Sequence, residues 1–261
     1  MYNELSNVKK TILVASGKGG VGKSTVSVNL AVSLAQLGYK VGLFDADIFG
    51  PSIPIMMGTV GQQPEVIDLG ENMYFAPINK YGVDIISLGN MMDNSKATIW
   101  RGPLASKTII EVIEKAIWKD IDYLIIDLPP GTSDIHISCV QDIKADGAII
   151  VTTPQKVALS DASKAANMFE HPSVNVPILG IIENMSYFFT EKYPNEKFNI
   201  FGSGAGEALA EKTGKELLAK IPIIEFLAEL SDQGKPIAIN NSRVYNEIYK
   251  EIAQKVVNKL K

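Results

Sequence analysis

Short apolar runs recur along the chain, and most of them are closed by glycine, proline or a polar residue. The runs that we predict as strands are Thr11–Ser16, Val41–Ala46, Val83–Leu88, Tyr123–Leu128, Gly147–Thr153, Ile178–Glu183 and Leu217–Ile221. Strands that are apolar on both faces are typical of parallel sheets covered by helices. The pattern therefore predicts an α/β fold of three layers, with a mostly parallel β-sheet and helices on both of its faces.

Longer amphipathic stretches lie between the predicted strands. The first predicted helix, Lys23–Leu37, has apolar residues at helical spacing. It stops before Gly38, because glycine readily adopts the left-handed backbone conformation that commonly follows the last residue of a helix. The other predicted helices are Leu104–Trp118, Ser133–Gln141, Leu159–Phe169, Ala205–Thr213 and Val244–Leu260. The least regular segment, Phe49–Tyr81, is rich in Pro, Gly and Met and is predicted to be a loop or hairpin insertion.

Composition and charge narrow the range of functions. The chain has 261 residues, of which 46% are hydrophobic and 21% charged, and this suits one domain over residues 1–261. Its net charge of −4 argues against a protein that binds nucleic acid through a broadly basic surface. The first ten residues contain no apolar signal-peptide core, and no apolar run is long enough to cross a membrane. We therefore expect a cytoplasmic protein without a membrane span.

A phosphate-binding motif of the form G-x-x-x-x-G-K-[ST] lies where the first predicted strand meets the first predicted helix. Its residues are Gly17, Lys18, Gly19, Gly20, Val21, Gly22, Lys23, Ser24 and Thr25. The glycines let backbone N–H groups turn toward an anion, and the helix N-terminus adds the positive end of its dipole. Lys23 is expected to reach the β- and γ-phosphates of a nucleotide, Ser24 to place its hydroxyl on Mg²⁺, and Thr25 to add another donor. The motif and its context predict a P-loop nucleotide-binding fold.

Carboxylates follow two of the predicted strands. Ligands of parallel α/β sheets bind outside the carboxyl ends of the strands, so Asp45, Asp47 and Asp127 are expected near the phosphates. We predict that Asp47 orients or deprotonates the attacking water, that Asp45 supports the hydration shell of Mg²⁺, and that Asp127 holds Mg²⁺ through water. The rigid turn after Asp127 contains Gly131, whose N–H could approach the γ-phosphate.

The whole set of motifs resembles one branch of a known superfamily. The string KGGVGKST resembles the deviant Walker A motif of MinD, ParA, the nitrogenase iron protein and Mrp. The phrases DADIFGPSIPIMMG, YLIIDLPPGTSD, TTPQKVALSDASKA, ENMSYF and IFGSGAGEALA occur in order and resemble the Mrp/ApbC branch, whose members are linked to iron–sulfur cluster assembly. The resemblance implies an ATP-hydrolysing homodimer that serves iron–sulfur scaffolds or apoprotein clients. It also implies that Lys18 reaches the partner's nucleotide, and that Asn184 and Pro222 line the adenine pocket.

The chain departs from this family at one point. Most members follow the ENMSYF phrase with a C-P-x-C pair, and two such pairs hold a [4Fe–4S] cluster at the dimer interface. Here Thr190 and Tyr193 occupy the two cysteine positions, and neither is a usual ligand of such a cluster. The single cysteine, Cys139, lies in a predicted helix and is expected to be a small core residue, while His136 nearby is expected to be a surface or core residue. The sequence therefore leaves open which residues would bind a cluster.

Two other functions remain as alternatives. A MinD- or ParA-like positioning switch would need a membrane-binding C-terminal helix or a DNA-binding surface. The stripe of Val244, Ile248, Ile252, Val256 and Leu260 could supply such a helix, although we expect it to pack on the sheet. A kinase would need an acceptor pocket, and no motif in the sequence identifies one.

Overall fold

A computed structural model describes residues 7–48, 50–68, 70, 72–91, 102–132, 134–190, 193–240 and 243–261 of the chain. The strands are β1 (Val8–Ser16), β2 (Val41–Asp45), β3 (Glu65–Asp68), β4 (Met73–Ala76), β5 (Ile78–Lys80), β6 (Val83–Ser87), β7 (Ile121–Asp127), β8 (Gly147–Thr152), β9 (Ile178–Glu183), β10 (Phe188–Thr190), β11 (Tyr193–Phe198) and β12 (Leu217–Lys220). The α-helices are α1 (Lys23–Gln36), α2 (Ile53–Met57), α3 (Leu88–Met91), α4 (Gly102–Lys115), α5 (Asp134–Asp142), α6 (Lys156–Glu170), α7 (Ala205–Thr213), α8 (Leu227–Asp232) and α9 (Arg243–Lys259). A short 3₁₀ helix, Ile237–Ile239, precedes α9.

Eight of these strands form one sheet in the order β12-β9-β8-β1-β7-β2-β6-β5. Every neighbouring pair is parallel except β5 with β6, which confirms the predicted mostly parallel sheet. The chain passes from β1 to β2 and β6 on one side, whereas β7 leads to β8, β9 and β12 on the other. The direction of winding thus reverses beside β1, and ligands of such sheets bind in the crevice at this point.

Helices cover both faces of the sheet, as the apolar pattern predicted. Along β1, Ile12 and Val14 join the core under α1 and α9, whereas Leu13 and Ala15 join the core under α4, α5 and α6. This alternation follows from the two-residue period of a strand. Because the central strands are buried on both faces of the sheet, a ligand can reach them only at their ends.

The C-terminal helix packs against the core, as expected, through most of the predicted stripe: Ile252 and Val256 are buried, and Ile248 and Leu260 are partly buried against the same core. Val244 is 51% exposed, whereas Tyr245, Tyr249, Ile252 and Val256 are buried in the core that α9 shares with α1. Tyr245 and Tyr249 widen the packed face beyond the aliphatic stripe, and their large rings add apolar area to the core. None of the helices in the described ranges combines the length and apolarity that a membrane crossing needs.

Two hairpins carry the irregular parts of the chain. The segment 49–81 contains α2, the antiparallel hairpin β3–β4, and β5, so the predicted hairpin insertion is present apart from residues 49, 69 and 71, which lie outside the described ranges. The pattern did not predict the second hairpin, β10–β11. Its first strand has three residues and its second is exposed, so neither has the long apolar run by which a buried strand is recognised.

Candidate nucleotide site

The glycine-rich loop lies between the end of β1 at Ser16 and the start of α1 at Lys23, as the motif requires. Gly20 and Gly22 adopt positive φ angles of 77° and 82°, which residues with a Cβ rarely adopt. The loop borders a cavity of about 240 Å³. Side chains or backbone of Lys18, Asp47 and Pro130 also line it. This is a concave site at a helix N-terminus, the arrangement that binds phosphate groups.

Two glycines of the loop are required by packing. A Cβ on Gly17 would overlap the backbone of Asp161 and Ala162 in α6, and a Cβ on Gly22 would overlap the side-chain amide of Asn184. The loop is therefore held from behind by α6 and by the segment after β9. This close approach fixes the loop backbone before any ligand arrives.

A buried network joins the loop to the end of β7. The Lys23 ammonium lies 2.7 Å from Oδ2 of Asp127. The Ser24 hydroxyl donates to the same oxygen at 2.6 Å, and the Ser27 hydroxyl lies 2.6 Å from Oδ1. Lys23 is 6% exposed and Asp127 is fully buried, so each charge depends on the other for neutralisation.

A second buried carboxylate lies beside Asp127. Asp45 is opposite Asp127 in the register of β2 and β7, and its Oδ2 accepts a 2.9 Å hydrogen bond from the Ser87 hydroxyl at the end of β6. Burial, followed by the negative charge of Asp127, raises the pKa of Asp45 to about 7, against the opposing effect of Lys23. Asp45 can therefore be either protonated or ionised at neutral pH.

Asp47 follows the same strand but reaches the cavity. Its Oδ1 accepts a 3.1 Å hydrogen bond from the backbone N–H of Gly50, and its own N–H donates to Oδ1 of Asp45 at 3.1 Å. Asp45 is thus completely buried, while Asp47 lines the cavity. The two carboxylates are suited to different tasks, although they are two residues apart.

The donor set fits a magnesium ion. Ser24 and Asp127 present a hydroxyl and a carboxylate 2.6 Å apart, and hard oxygen atoms of this kind are the ligands that Mg²⁺ prefers. Ser24 is the first residue after the P-loop lysine, where the motif places a metal ligand. No group of three or more His, Cys, Asp or Glu side chains within the described ranges could hold a metal by itself. A cation here would therefore need phosphate oxygens or water as further ligands.

The residues predicted for adenine and for phosphate sensing have other contacts in this structure. The Asn184 side-chain amide donates a 2.9 Å hydrogen bond to the carbonyl of Val21, and Pro222 is buried just beyond β12. The Gly131 N–H donates to the Ser16 carbonyl at 3.0 Å. Asn184 thus supports the loop from behind, and its contact with adenine stays a prediction.

The two positions where the resemblance implies cluster cysteines lie on neighbouring strands of a hairpin. Thr190 and Tyr193 are paired residues of β10 and β11, with the Tyr193 N–H 3.3 Å from the Thr190 hydroxyl. The two residues between them lie outside the described ranges. Cys139 does not replace the missing thiols, because it is completely buried in the core and burial raises the pKa of its thiol to about 11.

Comparison with known proteins assigns the chain to a family. The model of the NUBPL iron-transfer P-loop NTPases, in the ParA group, matches residues 7–257. The chain belongs to this family. This iron-transfer P-loop NTPase is 43% identical to the iron–sulfur cluster carrier protein of Aquifex aeolicus, over 98% of the chain and 71% of the relative. It is 44% identical to the carrier protein of Escherichia coli K12, over 98% of the chain and 68% of the relative.

Solved structures agree with the fold of this P-loop NTPase. A nucleotide-binding protein from Archaeoglobus fulgidus, in complex with ADP, superposes with a TM-score of 0.77 at 38% identity and covers 89% of each chain. The cell-division ATPase MinD of Pyrococcus furiosus gives a TM-score of 0.68 at 22% identity, over 96% of this chain and 99% of the other. The second likeness concerns the fold alone.

Sequence reasoning missed two hydroxyls of the site. Ser27 contacts Asp127, and Ser87 contacts Asp45. Ser27 could have been found, because a residue three positions after Ser24 lies on the same face of a helix. Ser87 had no such local pattern, since only the sheet order brings β6 beside β2.

Proposed function

We propose that this P-loop NTPase hydrolyses ATP as a nucleotide-sandwich homodimer and acts in the assembly or transfer of iron–sulfur clusters. The observation that carries the proposal is the cluster of Lys23, Ser24 and Asp127, joined within 2.7 Å beside a glycine-lined cavity. The names of the relatives, iron–sulfur cluster carrier proteins, supply the cluster-related part. The proposal places the protein in the cytoplasm, where a single thiol stays reduced.

In the proposed reaction, water attacks the γ-phosphorus while the bond to the β–γ bridging oxygen breaks, giving ADP and phosphate. Lys23 leaves Asp127 and donates to the phosphate oxygens, where it offsets the charge that accumulates in the transition state. Asp47, at the cavity wall, accepts a hydrogen bond from the attacking water and so orients it. Mg²⁺, held by Ser24 and through water by Asp127, would neutralise phosphate charge when bound.

The dimer completes the site in this proposal. Lys18 lines the same cavity as Lys23 but is only partly buried, whereas Lys23 is buried. A second copy placed over this opening would bring its Lys18 to the first copy's phosphates. A lysine is a compact point charge on a long stem, so it can act across such an interface.

The iron–sulfur cluster is, in this proposal, cargo whose ligands belong to other proteins. Thr190 and Tyr193 stand at the two positions where the resemblance implies cysteines, and Cys139 is buried in the core away from any client. We propose that a scaffold or an apoprotein client supplies the thiolates, and that ATP turnover by this chain drives the exchange between them. The adenine pocket of the proposal includes Asn184 and Pro222.

Nucleotide assays test the ATPase part. We expect Lys23→Ala to lose nucleotide binding, and Asp47→Ala to bind ADP normally while phosphate release falls roughly 100-fold, the typical contribution of a positioned base. Asp68→Ala, on the exposed β3–β4 hairpin, is the control and should behave as the wild type. Tight ATP binding by Lys23→Ala would refute the assignment of the phosphate site.

Anaerobic reconstitution with iron and sulfide tests the cluster part. The wild-type chain should hold no stoichiometric [4Fe–4S] cluster by itself, whereas the double variant Thr190→Cys with Tyr193→Cys should gain one. ATP should accelerate transfer from a loaded scaffold to an apoprotein in the presence of the wild type but not of Asp47→Ala. A stable cluster on the isolated wild-type dimer would overturn the assignment of its ligands to partner proteins.

A further inference from the structure

The two oxygens of the Asp127 carboxylate have separate partners. Oδ2 faces the phosphate loop, where it contacts Ser24 at 2.6 Å and Lys23 at 2.7 Å. Oδ1 faces the next turn of α1, where the Ser27 hydroxyl lies 2.6 Å away. One oxygen is therefore directed at the ligand site and the other is held by the helix.

Ser27 is placed to serve this contact. Its side chain is completely buried, and its hydroxyl also lies 3.1 Å from the carbonyl of Lys23. A hydroxyl has a single proton, so donation to Asp127 and donation to that carbonyl exclude each other. The bond to the ionised carboxylate is the stronger of the two, because charge-assisted hydrogen bonds are shorter and about twice as strong as neutral ones.

In the proposed function, nucleotide binding changes the partners of only one of these two oxygens. When Lys23 moves to the phosphates, Oδ2 loses its cationic partner, and a fully buried carboxylate without a countercharge is costly. A divalent cation beside Ser24 would replace that charge. The bond from Ser27 to Oδ1 can persist through the exchange, since Ser27 is buried and is not among the residues that line the cavity.

We propose that Ser27 is a positioning residue for the divalent cation. By holding Oδ1, it keeps Oδ2 directed at Ser24 and at the cation while Lys23 passes from Asp127 to the phosphates. This role rests on the proposed function, because it assumes that Lys23 binds phosphate and that Asp127 serves a metal. It adds a requirement that the P-loop motif does not contain.

Binding of a fluorescent ADP analogue, titrated with MgCl₂ and repeated in EDTA, tests the role without measuring turnover. Ser27→Ala should raise the Mg²⁺ concentration of half-maximal effect about tenfold, as loss of an outer-shell partner commonly does. Its affinity for the analogue in EDTA should stay within about twofold of the wild type, because the phosphate loop is unchanged. Ser27→Thr keeps the hydroxyl and should restore the Mg²⁺ dependence.

Ser33 provides the matched control. It lies on the same helix and is buried, and its hydroxyl has no hydrogen-bond partner in the described structure, so Ser33→Ala should leave the Mg²⁺ dependence unchanged. Alanine is the better helix former, so both variants should fold, and thermal unfolding checks this. Equal Mg²⁺ dependence in Ser27→Ala and Ser33→Ala would overturn the positioning role, as would an equal loss of affinity with and without Mg²⁺. If Ser27→Ala and Ser33→Ala had equal Mg²⁺ dependence while the wild type hydrolysed ATP normally, the positioning role would be wrong but the proposed function would still hold.

Discussion

His136 is completely buried, yet neither of its ring nitrogens has a hydrogen-bond partner within the described structure. Burial, followed by the positive charge of Lys23, lowers the pKa of this imidazole to about 4. The unfolded chain holds its proton up to about pH 6.5, the ordinary histidine value. Between these values the unfolded state binds more protons than the folded state, so the free energy of unfolding falls as the pH drops from about 6.5 to 4.

We expect His136→Leu to remove most of this acid sensitivity, because leucine fills the apolar site without a titrating group. At pH 4.5 the histidine should cost the folded state about 2 kcal/mol relative to pH 7.5. Urea unfolding at several pH values measures the difference between the two proteins. His171→Leu is the control, since His171 is exposed and its ring stays in contact with water. The same pH dependence in wild type and His136→Leu would contradict this account.

At the scale of elements, the phosphate loop owes its shape to the helices behind and after it. α6 approaches so closely that Gly17 has no room for a Cβ, while α1 begins at Lys23 and directs its N-terminus at the cavity. Gly19 belongs to the same loop but has only the Cβ of Pro130 near it, at 3.9 Å from where its own Cβ would lie. The two glycines of one motif thus differ in what packing requires of them.

Gly17→Ala should therefore destabilise the protein far more than Gly19→Ala. Overpacking against backbone costs about 1–3 kcal/mol, so we expect a loss of about 2 kcal/mol for Gly17→Ala and under about 0.5 kcal/mol for Gly19→Ala. Gly17→Ala should also weaken ADP binding, because either the loop or α6 must shift. Chemical denaturation measures the loss of stability, and a nucleotide titration measures ADP binding. Equal stability of the two variants would contradict this account, because it would show that α6 moves aside at little cost.

At the scale of the whole molecule, the proposed site needs two copies. Lys18 and Lys23 line one cavity, but in the sandwich proposal each nucleotide meets Lys23 of one protomer and Lys18 of the other. In a mixed dimer of one Lys18 variant and one Lys23 variant, one nucleotide site would then have both lysines and the other would have neither. The turnover of such a mixture therefore distinguishes a lysine that acts across the interface from one that acts within its own chain.

As pure proteins, Lys18→Ala should lower ATP turnover roughly 100-fold, as the loss of one charged donor commonly does, and Lys23→Ala, which is expected to lose nucleotide binding, should lower it at least as much. An equal mixture should recover about a quarter of wild-type turnover, because half of the randomly paired dimers contain one complete site. Phosphate release after mixing measures this recovery. No recovery would place Lys18 in the same chain as the nucleotide it serves and would count against the sandwich.

Much of the fold and the phosphate site followed from local patterns. The strand runs, the first helix and the P-loop could be predicted because each depends on residues close together in sequence, such as Gly17 to Thr25. The β10–β11 hairpin could not, since its exposed strand lacks a buried apolar run. The packed face of α9 was predicted in part: Ile252 and Val256 of the stripe are buried, but Val244 is exposed, and the buried Tyr245 and Tyr249 lay outside the stripe.

The sequence by itself determined the chemistry of this protein: a glycine loop with its lysine and serine, carboxylates at strand ends, and no cysteine pair after the ENMSYF phrase. Only the tertiary structure decided which groups meet. Ser27 reaches Asp127 across 100 residues of sequence, and Ser87 reaches Asp45 across 42. These contacts depend on the order of β6, β2 and β7 in the sheet and on the packing of α1 against it. A local pattern fixes the type of each side chain, but the buried partner of a charge is fixed by elements that come together only on folding.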